Sequence, residues 1–115
     1  MAFRTPAIKN YILETGAYSA ACLYVALAST VGTTTAGTEA TGGGYARQAA
    51  NWAAASAGVK VASPAAHSVA SGQTVADAEF FSASTAGTYY DGGSVTSQTF
   101  SSAGTYQVVL TQTLT

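Results

Sequence analysis

Large apolar side chains occur in this chain only in short clusters, such as Leu23 to Leu27, Phe80-Phe81 and Val108 to Leu110, separated by stretches of Ala, Thr, Ser and Gly. No apolar run approaches the ~20 residues that a membrane-spanning helix requires. Clusters this short, rich in Val and Tyr and bounded by Gly and Thr, suit strands a few residues long that are joined by turns. The twelve glycines are spread along the chain as turn residues would be. Although 48% of the residues are hydrophobic, 25 of them are alanine, which leaves 30 large apolar side chains among 115 residues. A core built from so few is thin, and a domain of this size buries only about two-thirds of its unfolded surface. Contacts with further subunits are therefore expected to contribute to stability, and a homo-oligomer is the expected state. With a net charge of -1, no strong self-repulsion keeps the chain expanded, so it reads as folded.

The length fits a single domain over residues 1–115, with an N-terminal arm and short helix over 1–16 and a β-sandwich over 17–115. Thr5-Pro6 offers an N-cap and a first-turn proline, and Ile8, Tyr11 and Ile12 follow at helical spacing before Gly16. This predicts one helix over residues 6–15, too short to persist unpacked, with Phe3 beside it as an anchor. Cys22 to Ser29 reads as a buried strand, and Thr30 to Gly44, which lacks any period, as a long exposed loop. Tyr45 to Ala53, Val59 to Ala62 and Ala66 to Ala70 follow as strands. In Thr74 to Ser82, Ala76, Ala78 and Phe80 alternate with Val75, Asp77, Glu79 and Phe81, so one side packs and the other carries paired carboxylates. Asp91-Gly92 predicts a hairpin turn between Thr88 to Tyr90 and Ser94 to Thr99. Thr105 to Thr115 predicts a half-exposed terminal strand, with Tyr106, Val108, Leu110 and Leu114 on its inner face. The expected fold class is mainly β: an antiparallel β-sandwich or small barrel of about 7–8 strands preceded by one short N-terminal helix.

The segment Gly37-Thr38-Glu39-Ala40-Thr41-Gly42-Gly43-Gly44-Tyr45-Ala46-Arg47-Gln48, after the strand Leu23 to Leu27, resembles a family of small structural proteins of tailed bacteriophages. Thr85 to Gly93 and Ser102 to Val108 resemble later strands and turns of the same family, so that the resemblance covers roughly residues 16 to 115. It departs at Ala78-Glu79-Phe80-Phe81, where relatives often carry a Thr-His pair and a Trp. The resemblance implies a non-enzymatic β domain built into a virion, as a tail-fibre, minor-tail or capsid-decoration subunit. Its implied partners are other virion proteins, either the major capsid protein or tail proteins, after synthesis in the host bacterial cytoplasm.

The titratable residues give little support to catalysis. His67 stands without a nucleophile signature and reads as a surface or interface histidine. Cys22 has no second cysteine to pair with and no zinc-binding spacing around it, so it reads as a buried packing residue; no cofactor or metal is expected. Asp77 and Glu79 suggest a Ca²⁺ pair, but no Asp/Asn-rich loop supplies further oxygens, and a solvated strand edge is the expectation. Arg4, Lys9, Arg47 and Lys60 are scattered, which argues against a nucleic-acid surface. Arg47 is expected to pair with Glu39, Asp77 or Glu79, or else to reach a partner carboxylate in the assembled particle. Phe3, Ile8, Tyr11, Ile12 and Arg47 are thus the candidate assembly residues. A carbohydrate- or receptor-binding module is the alternative, with Trp52, Tyr89 and Tyr90 as a stacking platform.

Overall fold

The computed structural model describes residues 21–113, in which eight strands follow one another. They are β1 (Tyr24–Ala28), β2 (Gln48–Ala49), β3 (Val59–Ala62), β4 (His67–Val69), β5 (Thr74–Phe81), β6 (Tyr89–Thr99), β7 (Gly104–Tyr106) and β8 (Leu110–Thr113). The helix expected over residues 6–15, and with it Phe3, Ile8, Tyr11 and Ile12, lies outside the described residues. All strand pairs are antiparallel. They form a four-stranded sheet in the order β2-β1-β5-β6 and two ladders, β3 with β8 and β4 with β7, and the described strands close no barrel.

Register decides what each face of the four-stranded sheet buries. Val25 lies opposite Phe80 and Leu27 opposite Ala78, so these four side chains share one face. That face forms a single core cluster with Ala62 of β3, Val69 of β4, Phe100 after β6 and Val108 between β7 and β8. Trp52 completes it, its indole stacked on the Phe80 ring with centroids 5.1 Å apart and its Nε1 donating to the Cys22 carbonyl at 2.8 Å. Tyr24, Ala26, Ala28, Asp77, Glu79 and Phe81 fall on the opposite face.

Three local expectations change. Asp91-Gly92 does not turn the chain: β6 runs through it for 11 residues, and the reversal occurs at residues 82–88. There Ala86 and Gly87 adopt left-handed φ values of 53° and 75°, and Ser82 N–H donates to the Thr88 carbonyl at 3.1 Å. Gly92 is required for another reason: it lies opposite Glu79, and a β-carbon there would sit 2.9 Å from the Ala78 carbonyl oxygen. Second, the strand expected over Tyr45 to Ala53 shrinks to Gln48–Ala49, because Asn51 takes a left-handed φ of 52° and turns Trp52 toward Ala62. Third, the terminal strand splits. Its alternation persists, with Val108 buried and Gln107 and Val109 exposed, but β7 pairs with β4 and β8 with β3. A period of two fixes which way side chains point and is silent on which strand lies alongside.

Candidate functional site: the charged face of the sheet

Alternation in β5 predicted a solvated edge at Asp77 and Glu79, whereas the two residues are 2% and 0% exposed. The reason is the Thr30 to Gly44 loop, which folds back over this face. Its ends are pinned to β1, with Ser29 N–H donating to Thr38 O at 2.8 Å and Ala40 N–H donating to Leu27 O at 2.9 Å. Its middle is pinned to β5: Gly32 N–H donates to Asp77 Oδ2 at 2.9 Å and Gly37 N–H to Glu79 Oε2 at 2.8 Å. Both loop residues must be glycine at so close an approach, since a β-carbon on Gly32 would overlap Glu79 Oε2 and one on Gly37 would overlap the Thr30 carbonyl.

The second part of the site is built on the turn Gly42-Gly43-Gly44, three residues with φ of 79°, 62° and 79° that bring Tyr45 and Arg47 back against the loop end. Tyr45 Oη accepts from the Leu27 amide at 3.0 Å and donates to Glu39 Oε2 at 2.8 Å. Arg47 grips the same carboxylate with both sides of its fork, Nε to Oε2 at 2.9 Å and Nη2 to Oε1 at 2.8 Å. Its remaining nitrogen, Nη1, donates to the carbonyls of Ala83 at 3.0 Å and Ala86 at 2.6 Å in the β5–β6 turn, and the guanidinium lies 3.7 Å above the Phe81 ring. Burial raises the Glu39 carboxyl, but the hydrogen bonds from Arg47 and Tyr45 and the Arg47 charge outweigh it and hold the group below its ordinary value. Of the partners expected for Arg47, Glu39 is the one it takes. A shallow depression of about 420 Å³ opens beside this pair, rimmed by Thr41, Gly42, Ser84 and Thr85.

A family model described as Podophage GP4 fiber I protein gp80 matches residues 4–115. The chain belongs to that fibre family. No match was found among curated proteins, and none among solved structures. The family agrees with the phage structural class that the sequence resembles, and its description names a fibre rather than a capsid-decoration protein.

The other candidate residues of this fibre-family chain are placed as follows. His67 is wholly buried, not at a surface, with Nε2 2.9 Å from the Val25 carbonyl, and so ties β4 to β1. Burial lowers its pKa against the opposing pull of the Val25 and Tyr106 carbonyls, which favours the neutral ring. Trp52 and Tyr89 do not share a platform. Trp52 stacks on Phe80 and Tyr89 packs on Phe81, successive residues that point to opposite faces of the sheet; Tyr90 is exposed. Among the described residues, no group of three or more His, Cys, Asp or Glu side chains converges as a metal site would. Cys22 is buried as expected, and burial pushes its thiol up to about 11. The native protein is accordingly expected to resist a thiol-specific reagent at neutral pH and to react stoichiometrically in denaturant. Rapid labelling of the native chain would contradict the placement of Cys22.

Proposed function

We propose that this chain is a non-enzymatic subunit of a podophage fibre, assembled in several copies on the virion and joined to other virion proteins through its N-terminal segment. The family match over residues 4–115 carries this reading, because it takes in almost the whole sequence and its description names a fibre. Two further observations support it. A net charge of -1 leaves apolar and backbone contacts as the means of assembly. Arg47, the most conspicuous charge of the described residues, spends its donors on Glu39, Ala83 and Ala86 within its own subunit, which leaves Phe3, Ile8, Tyr11 and Ile12 as the proposed assembly residues.

Burial of three or four such side chains is worth about several kcal/mol at ~25 cal/mol per Å² before ordering costs. Virions produced with a chain lacking residues 1–15 should therefore carry at least ~10-fold less of it than wild-type virions, while far-ultraviolet circular dichroism of the truncated chain still reports strands. Wild-type occupancy of the truncated chain would sink the N-terminal attachment. Immunogold labelling of intact virions tests the fibre reading separately: label on fibres supports it, and label spread over the capsid shell overturns it.

A further inference from the structure

The Asp77/Glu79 pair plays no part in the fibre reading, and its chemistry is unusual. Two carboxylates two residues apart on one strand are buried beneath a loop, each accepting a single loop amide, while Glu79 Oε1 is buried without a hydrogen-bond partner of its own. An unpartnered ionised oxygen in such a place is costly, whereas a protonated one that donates to its neighbour is not. Among the described residues, the surroundings supply no cation to neutralise both charges. β5 itself brings Asp77; the loop brings Glu39; β6 brings the Tyr89 hydroxyl; β1 brings Tyr24, Ala26 and Ala28; and the segment before β2 brings Arg47, which Glu39 already holds in a fork.

We propose that Asp77 and Glu79 share one proton and act as a latch that holds the Thr30 to Gly44 loop over the sheet, and that loss of this proton releases the loop. While the proton is present the pair carries one negative charge and accepts the Gly32 and Gly37 amides. Once it leaves, two like charges are buried side by side, and the loop is the element that can open to hydrate them. The titration has the corresponding sign. Burial, the contact with Asp77, and the Asp77 and Glu39 charges raise the Glu79 carboxyl from 4.5 to about 7 against the opposing Gly37 amide. The closed loop therefore binds more protons than the open one between these values. Closure is complete below the lower value and is lost as pH rises through the higher.

Amide hydrogen exchange of Gly32 and Gly37 in the full-length chain, corrected for intrinsic exchange rates, tests the latch. Protection of both amides is expected to fall by about tenfold per pH unit across that interval and to level off above it. In Glu79→Gln, whose amide accepts from Gly37 and donates to Asp77 as the protonated acid does, protection should stay high and independent of pH. Equal protection of the wild-type amides at both ends of the range would overturn the latch, as would the same pH dependence in Glu79→Gln. If that variant does not fold, the side-chain carboxyl ¹³C resonances of wild-type Asp77 and Glu79 decide. One proton retained by the pair at about pH 6, where exposed carboxylates are ionised, supports the latch, and two ionised groups there refute it.

Discussion

Replacing Arg47 by alanine is expected to destabilise the domain by about 3 kcal/mol, the lower end of what removal of one partner of a buried ion pair costs. The lower end applies because the side chain of Arg47 is 8% exposed but that of Glu39 is 30% exposed, so solvent screens part of the charge that would be stranded. The substitution also frees the Ala83 and Ala86 carbonyls and uncovers the Phe81 ring, so the loop end, β2 and the β5–β6 turn lose their common tie together. Against a total stability of about 5–15 kcal/mol, this should lower Tm by roughly 10–20 °C. Arg47→Lys should recover less than half, since an ammonium cannot reproduce the planar fork and also reach the turn. Glu39→Gln introduced with Arg47→Ala should recover part of the loss, because no unpaired charge then remains. Urea denaturation of the variants measures these differences, and a loss below about 1 kcal/mol would mean that the network is ornamental.

Phe80→Ala is expected to cost about 3–5 kcal/mol, by loss of the ring's transfer energy and by the cavity it leaves. Phe80 is 3% exposed, lies opposite Val25 and carries the Trp52 indole on its face. In a core with so few large side chains, alanine neighbours such as Ala62 and Ala78 cannot move in to fill the space. Phe80→Leu keeps most of the volume and should cost less than about 1.5 kcal/mol. Trp52 fluorescence reports the outcome directly. A native-like emission maximum with undiminished cooperativity in Phe80→Ala would show that the stacked pair does not organise the core.

The same β5 strand illustrates how far the residues alone could be read. Its position was legible, and so was its alternation from Asp77 onward, because the side-chain period of two is a local property. Val75, expected on the carboxylate face, is instead buried in the core with Ala78 and Phe80, because a register shift between Val75 and Asp77 interrupts the period. That Phe80 and Phe81 serve different faces follows from the same period. That Asp77 and Glu79 are buried was not legible, since alternation separates one face from the other but does not say what covers either. The covering groups are the backbone N–H groups of Gly32 and Gly37, and every residue except proline carries such a group, so residue identity gives them no signature. The glycines themselves were visible, but their spacing reads equally well as free loop.

The pairing of Arg47 was partly legible, because Glu39 lies only eight residues away and was among the named partners. Its bonds to Ala83 and Ala86 reach carbonyls 36 and 39 residues further on, which carry no sequence signal. Asp91-Gly92 failed for a related reason: the dipeptide favours a turn locally, but the pairing of β6 with β5 outweighed that preference and used Gly92 for close approach to the neighbouring strand.

From the sequence alone came a small antiparallel β chain with a thin core, its main strand positions, a buried Cys22, and a likeness to phage structural proteins that the fibre family match bears out. These depend on composition and on short-range periodicity. The tertiary structure alone decided that β7 and β8 pair with different strands, that His67 ties β4 to the main sheet, and that the loop after β1 closes over two buried carboxylates. Each of these contacts has a backbone N–H or carbonyl on at least one side and joins groups distant in sequence, and such a group carries no residue signature, so which elements pack together decides whether the contact forms.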